Sequence, residues 1–210
     1  MQRDDPTLAE GSDEALLRAG FGQGADFASI LLAGLSAPLA RSRILALRGC
    51  LRQALLGPEG WLGAFADPSA DVRRDALNLF AYVELEDRAV LGAVVARLSD
   101  EDPLVVDGAA FALGEHLWVD AVDTLCAVAS GHEDARCRES AIAALGAIGD
   151  DRARPAILAA LEDKAPVRRR AIVALANFEG PDIDEALERA SEDRDWQVRA
   201  AADQLGRGED

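Results

Sequence analysis

The sequence has few aromatic residues, few cysteines and histidines, and no long uninterrupted apolar run. Aromatic residues make up 5% of the 210 positions, with three cysteines and two histidines. An odd number of widely spaced cysteines fits neither a disulfide framework nor a Cys-x-x-Cys metal site. We therefore predict that Cys50, Cys126 and Cys137 are small buried apolar residues. Glycine, serine and proline interrupt the apolar stretch 28–39, which excludes it as a membrane span.

The motifs of common catalytic sites are also missing. The glycines at 20, 22 and 24 are not followed by the lysine and serine of a phosphate-binding loop, and neither G-x-S-x-G nor H-E-x-x-H occurs. His116 and Asp120 could supply two metal ligands, but two ligands around one turn do not make a site. The sequence thus predicts no catalytic residue, no metal and no cofactor.

Basic residues are outnumbered by acidic ones. The chain has 38 acidic and 22 basic residues and a net charge of −16. This balance argues against binding to a phosphate backbone and favours a partner with a basic surface. The polar, acidic N-terminal residues are unlike a secretory signal, so we expect a cytoplasmic protein with no membrane association.

What the sequence does contain is an internal repeat. Starting from positions 72, 105, 137, 167 and 198, an apolar residue is followed by alanine four residues later. In four of the five copies leucine or phenylalanine follows eight residues later, as in Cys137, Ala141 and Leu145. Positions offset by 0, 4 and 8 lie on one face of an α-helix. The spacing therefore predicts one amphipathic helix every 30 to 33 residues.

A second helix follows in each copy. In the clearest copy, Gly149 suits a left-handed helix C-cap and Asp150 suits the start of the next helix, predicted over 152–161. Neither helix can bury its apolar face alone, so neighbouring pairs must stack.

The pattern V-R-x-x-A-x-x-A-L-G, a Gly-Asp turn and a second helix ending near L-x-D resembles short HEAT-like repeats of the phycobilisome-lyase type. It is carried by Cys137-Arg138, Ala141, Leu145-Gly146, Gly149-Asp150, Leu161-Asp163, Val167-Arg168, Ala171, Leu175, Val198-Arg199 and Ala202. The resemblance implies an all-α fold: a right-handed α-solenoid, or superhelix, of stacked antiparallel helix pairs with about five repeats.

In such families, recurring Arg and Asp residues form a structural ladder between repeats. The resemblance assigns this role to Arg73, Arg138, Arg168, Arg199, Asp134 and Asp163. A carboxylate partner is a reasonable requirement because a helix N-terminus disfavours a nearby arginine.

The sequence also predicts the order of segments along the chain. We expect a flexible acidic tail over 1–12, and Ser12 as the N-cap of the first helix. A divergent helical repeat with a capping helix is expected over 13–66, with helices predicted over 13–19, 25–35 and 41–56. The repeat array is expected over 67–210, divided at about 67–99, 100–131, 132–162, 163–192 and 193–210.

The repeat over 100–131 departs most from the others. It has seven acidic residues and no basic one, and Val106 replaces the ladder arginine. It also contains Trp118. We predict a partner-binding site here, formed by Glu115, His116, Trp118, Asp120 and Asp123. In the alternative interpretation, Trp118 fills the turn between the two helices and the acidic residues are simply solvated.

These observations leave three hypotheses for the function. The first is a noncatalytic scaffold or adaptor that binds a basic protein or peptide. The second, which rests on the resemblance, is a chromophore-lyase-like enzyme or lyase subunit. The third is a DNA-binding HEAT-like protein, for which Arg41, Arg43, Arg48 and Arg52 form the candidate surface. The sequence leaves the oligomeric state open.

Overall fold

The computed structural model describes residues 6–206, and this part of the chain contains thirteen α-helices and no strand. The helices are α1 (Pro6–Gly20), α2 (Phe27–Gly34), α3 (Ala40–Arg52), α4 (Pro58–Phe65), α5 (Ala70–Phe80), α6 (Arg88–Ala96), α7 (Pro103–Glu115), α8 (Val122–Gly131), α9 (Ala135–Ile148), α10 (Arg154–Ala159), α11 (Ala165–Ala174), α12 (Pro181–Ser191) and α13 (Trp196–Gly206). Short 3₁₀ turns at Arg97–Ser99, Val119–Ala121, Asp151–Ala153, Ala160–Glu162 and Leu175–Asn177 lie next to several of them. None of these helices combines the length and apolar content needed to cross a bilayer.

The chain forms two compact units, unit 1 (Met1–Ala93) and unit 2 (Val94–Asp210). In unit 1, α1 packs against α2 and α3, while α5 packs against α3 and α4. The sequence predicted one divergent repeat and a single capping helix over 13–66. The structure has four helices there, most of α1 followed by α2, α3 and α4.

Two helix boundaries in unit 1 also differ from the prediction. Helix α1 begins at Pro6 rather than after Ser12, so residues 6–12 of the predicted flexible tail are helical, while residues 1–5 lie outside the described part of the chain. Helix α3 ends at Arg52 rather than near Leu56. The chain leaves the helix because Ala54 has a φ of 54°, and the N–H of Leu55 then bonds to the carbonyl of Cys50 at 2.8 Å.

Aromatic rings fill the core between α4 and α5. The rings of Trp61 and Phe65 lie 5.9 Å apart, and both contact Phe80, at 5.2 and 5.4 Å between ring centroids. All three side chains are fully buried. Edge-to-face contacts such as those of Phe80 add a specific geometry to a large buried area.

Unit 2 is the more regular of the two. Its first helices α7, α9, α11 and α13 pack one against the next, and the second helices α8 and α12 pack against α9 and α13. The repeat positions Val105, Cys137 and Val167 are fully buried. The predicted stripe of offsets 0, 4 and 8 is therefore the inner face of these helices.

Glycine allows the closest approach between first helices. A Cβ added to Gly114 would lie 3.0 Å from the Cα of Ala144, and one added to Gly146 would lie 2.7 Å from the Cα of Ala174. Both glycines stand at offset 9 of their repeats, where a side chain would meet the backbone of the next helix.

The predicted turn at the end of α9 is confirmed. Gly149 has a φ of 68°, and its N–H bonds to the carbonyl of Leu145 at 3.0 Å. The carboxylate of Asp150 accepts the N–H of Arg152 at 2.9 Å and so caps the following 3₁₀ turn.

Candidate interaction surface

Arginine and aspartate alternate along one line through unit 2. Nε and Nη2 of Arg138 donate to the carboxylate of Asp163 at 2.6 and 2.7 Å, and Nη1 of Arg168 donates to the carbonyl of Asp163 at 2.8 Å. Each such aspartate thus accepts one arginine through its side chain and the next arginine through its backbone. We call this arrangement the Arg–Asp ladder. Its geometry is the bidentate fork that arginine forms with a carboxylate.

The ladder continues toward α13. Nε and Nη2 of Arg168 donate to Asp193 at 2.9 and 2.7 Å, and Nη1 of Arg199 donates to the carbonyl of Asp193 at 2.7 Å. The side chain of Arg168 is only 5% exposed. A guanidinium this buried needs hydrogen-bond partners for its N–H groups, which explains why Nε, Nη1 and Nη2 of Arg168 all donate within the ladder.

Unit 1 contains the same arrangement. Arg43 donates to the carboxylate of Asp67 at 2.7 and 2.8 Å, and Nη1 of Arg73 donates to the carbonyl of Asp67 at 2.9 Å. The ladder arginine lies one residue after the reference position of its repeat, as Arg73 follows Val72. The same relation places the reference position of the preceding repeat at Ser42, one residue before Arg43.

Asp134 does not take part in the ladder to which the sequence analysis assigned it. Its carboxylate caps α9 by accepting the N–H of Arg136 at 2.9 Å, and it lies 3.5 Å from Nη2 of the same residue. The preceding repeat has Val106 where a ladder arginine would stand, and Val106 is fully buried. Asp134 therefore serves its own helix instead of joining two repeats.

The ladder lowers the pKa of its carboxyl groups. Hydrogen bonds from Arg138 and from the N–H of Lys164 hold the pKa of Asp163 below its usual range. Arg168 and the N–H of Asp195 do the same for the pKa of Asp193. Burial alone would raise the pKa of Asp67, but the hydrogen bonds from Arg43 and Ser69 outweigh it.

The predicted partner-binding residues lie around the end of α7 and the start of α8. Glu115 ends α7, His116 follows it, and Trp118 precedes the 3₁₀ turn that contains Asp120. His116 and Trp118 are half-buried, whereas Glu115, Asp120 and Asp123 are exposed. Trp118 is therefore neither fully buried nor fully exposed, and its role stays a prediction.

Two apolar side chains flank Trp118 on the surface. Leu117 is 56% exposed and Val119 is 46% exposed. Leu117 has a φ of 49°, which is unusual for a leucine and turns the chain sharply after α7. Exposed apolar residues beside a half-buried tryptophan are typical of the centre of an interaction surface.

The acidic repeat receives one base from its neighbour. Arg152, in the next repeat, lies 3.2 Å from Asp123 and donates to the carbonyl of Val119 at 3.1 Å. It also pairs with Asp150 at 2.9 Å. Its pKa is raised chiefly by the hydrogen bond to Asp150, with Asp123 and Asp120 adding to the effect. Two carboxylates, Asp123 and Asp150, therefore contact this guanidinium, and the charge of Asp120 also acts on it; we call the three the acidic cluster.

Glu115 lies in a different setting from the acidic cluster. It lines a groove between α7, α9 and α11, together with Phe111, Glu139, Ala143, Ala147 and Arg170. Sequence reasoning missed the groove because its residues come from three repeats. The available signal is the spacing of four residues between Phe111 and Glu115, which places both on one face of α7.

The arginines proposed for DNA binding all have partners within the protein. Arg41 pairs with Asp13 at 2.8 Å, Arg48 pairs with Asp75, and Arg43 belongs to the ladder. Arg52 donates to the carbonyl of Gly20 at 3.1 Å and lies 4.5 Å over the ring of Phe21. These arginines link helices of unit 1, so they do not form a surface of unpaired cations.

The cysteines differ from one another. Cys50 and Cys137 are buried, and burial raises the pKa of each thiol to about 11. Cys126 is only half-buried, which corrects the prediction of a buried residue. Within residues 6–206, no group of three histidine, cysteine or acidic side chains could hold a metal ion.

The comparisons with known proteins agree with this geometry. The family described as HEAT repeats matches residues 108–176 and 122–206. Residues 108–206 of the chain are HEAT-like repeats. No curated protein matches the chain.

Solved structures show the same fold at low sequence identity. An engineered protein is 19% identical and has a TM-score of 0.63, with 85% of this chain and 94% of that chain covered. YibA from Escherichia coli is 14% identical with a TM-score of 0.60, covering 96% of this HEAT-like chain and 75% of its own. A designed armadillo repeat protein in complex with the peptide (KR)4 is 14% identical with a TM-score of 0.58, covering 92% and 97%.

Proposed function

We propose that this HEAT-like protein is a noncatalytic scaffold that binds a protein or peptide with a basic surface, through the acidic surface of unit 2. The observation that carries the proposal is the repeat over 100–131, which has seven acidic residues and no basic residue of its own. Two of these acidic residues, Asp120 and Asp123, are exposed beside the accessible apolar residues Leu117 and Val119.

Charge and shape support the proposal in different ways. Residues 94–210 contain 25 acidic and 13 basic residues, so unit 2 carries most of the net negative charge. Such a field accelerates the encounter with a cationic partner and discourages nucleic acids. The apolar residues around Trp118 would then provide contacts that exclude water. A structural neighbour that binds a peptide of alternating lysine and arginine shows that a related fold accommodates this chemistry.

The first experiment measures binding of a fluorescein-labelled (KR)4 peptide by fluorescence anisotropy. We expect binding that weakens between low and moderate salt, because screening reduces the attraction between exposed charges. A double variant, Asp120→Asn with Asp123→Asn, should bind several-fold more weakly. The matched control is Asp184→Asn with Glu185→Gln, which removes the same charge from exposed positions of α12.

Arg152→Ala provides the opposite change. It removes the only base that contacts Asp123 among the described residues, so the affinity for (KR)4 should increase. Equal weakening by the two double variants would show that only the net charge matters. No binding by the wild-type protein at low salt would rule out the proposed function.

A further inference from the structure

The groove between α7, α9 and α11 differs from the rest of the acidic surface. Its floor consists of small residues: Gly114 on α7 faces Ala144 on α9, with Ala143 and Ala147 beside them. The close approach at Gly114 leaves the helices without large side chains at this point. A partner side chain can therefore lie against both helices.

One wall of the groove carries a ring and a carboxylate from the same helix face. Phe111 is 38% exposed. Glu115 is exposed one helical turn further on, and the described residues give it no ion-pair partner. A flat cation lying on an aromatic ring with its edge toward a carboxylate is the arrangement that a guanidinium favours.

The opposite wall already holds a guanidinium. Nη2 of Arg170, from α11, lies 3.6 Å from Oε1 of Glu139, longer than the 2.6–2.9 Å contacts of the ladder. The Arg170 side chain is 41% exposed and that of Glu139 is 23% exposed. A loose, partly solvated pair of this kind contributes little stability and is easily exchanged.

We propose that this groove is a subsite for an arginine side chain of the basic partner, and that Arg170 occupies part of it until the partner binds. The proposal rests on the proposed function, because it names where one residue of the basic partner docks. Two carboxylates, Glu115 and Glu139, and one internal cation, Arg170, line the groove, which leaves one negative charge for the incoming guanidinium. Phe111 provides the surface on which its plane stacks.

The experiment compares two fluorescein-labelled octapeptides, (RG)4 and (KG)4, by anisotropy at low salt. We expect Arg170→Ala to bind (RG)4 about threefold more tightly than wild type does, because the internal competitor is removed. The matched control is Arg169→Ala, which removes the same charge from the same helix but lies 3.3 Å from Gln197 instead of in the groove. Its effect should be smaller than that of Arg170→Ala.

The wall that carries Phe111 and Glu115 is tested by Glu115→Gln and by Phe111→Leu, which keeps an apolar side chain but removes the ring. Each should weaken (RG)4 binding about fivefold, whereas Phe111→Leu should affect (KG)4 less because lysine lacks a flat group to stack. Glu133→Gln, an exposed change outside the groove, is the control for charge. Far-ultraviolet circular dichroism checks that each variant folds.

Three results would overturn the subsite. Equal effects of Arg170→Ala and Arg169→Ala on the affinity for (RG)4 would mean that only charge matters. If Phe111→Leu bound (RG)4 as tightly as the wild type does, Phe111 would not be a stacking surface. If (RG)4 binding responds to the acidic cluster but not to the groove, the proposed function stands and this inference fails. If neither peptide binds the wild-type protein, both fail.

Discussion

The two units are both built from short packed helices, but different side chains fill the space between those helices. In the described part of unit 1, Trp61, Phe65 and Phe80 are fully buried, while the large fully buried side chains of unit 2 are leucine and isoleucine. Unit 2 brings its first helices together at Gly114 and Gly146, whereas the described part of unit 1 has one such approach, between Gly20 on α1 and Gly49 on α3. The charges differ as well, with 13 acidic and 9 basic residues over 1–93 and 25 and 13 over 94–210.

This difference explains why the repeat is easy to recognise in only one unit. The matched family segments, 108–176 and 122–206, lie entirely within unit 2. Small residues at fixed offsets are required wherever one helix backbone meets another. Where aromatic rings fill the space between two helices, many combinations of apolar residues can pack there. The repeat pattern is therefore weaker in the sequence of unit 1, although the helices are present.

The largest expected effect comes from a substitution in the aromatic core of unit 1. Trp61→Ala should lower the free energy of unfolding by about 4 kcal/mol, because it leaves a cavity between α4 and α5. Urea denaturation followed by circular dichroism measures the change. Trp196→Ala is the control in unit 2, since Trp196 is 67% exposed and its removal opens no cavity. Similar losses in both variants would contradict the assigned role of the buried rings.

The second prediction concerns the glycine contacts of unit 2. Gly146→Ala should destabilise the protein by about 2 kcal/mol, because its Cβ would lie 2.5 Å from the Cβ of Ala174 and force α9 and α11 apart. Gly131→Ala has no atom within 4 Å of the added Cβ and should be neutral or slightly stabilising. The same denaturation experiment compares the two, and a neutral Gly146→Ala would show that the helices can separate without cost.

The third prediction concerns the Arg–Asp contacts of the ladder, which occur within each unit. Arg168→Met should cost about 2 kcal/mol at neutral pH, because it leaves the carboxylate of Asp193 without its charged partner. Arg43→Met should have a similar cost through Asp67 in unit 1. A large difference between these variants would mean that the ladder matters in one unit only.

The smallest effects appear in the pH dependence. Asp163 and Asp193 have pKa values below the usual range in the folded protein, so the unfolded chain binds more protons. Their contribution to stability is fully present above the unfolded pKa of about 3.9 and is lost as the pH falls through the folded value. Urea denaturation between pH 7 and pH 3 should show this decrease, with a smaller decrease in Arg168→Met. Parallel curves for the two proteins would argue against the assignment.

The fold could be predicted from the sequence because each repeat needs an apolar stripe with helical spacing. The register of the repeat before Val72 could not be predicted, since Ser42 breaks the apolar pattern. Only the contact between Arg43 and Asp67 reveals that Ser42 is the reference position of that repeat. Asp193 could have been found, because it follows Arg168 at the same interval of 25 residues that separates Arg138 from Asp163.

The candidate site was predicted less completely. The acidic character of residues 100–131 is a property of composition and was visible at once. The contact of Arg152 with Asp123 was not, because a charge count within one repeat ignores side chains that arrive from the next. The groove depends on packing among three helices, and Arg170 lies 31 residues from Glu139 in the chain.

The alternating ladder has a consequence for how such a chain can change in length. Asp163 and Asp193 each accept one arginine at the carboxylate and the next at the carbonyl, so the two junctions are chemically equivalent. Deleting residues 163–192 would join Glu162 to Asp193 and bring Arg138 to a carboxylate of the same kind. Duplicating that segment would also leave every junction intact. Copy number can therefore vary without redesigning any contact along this line.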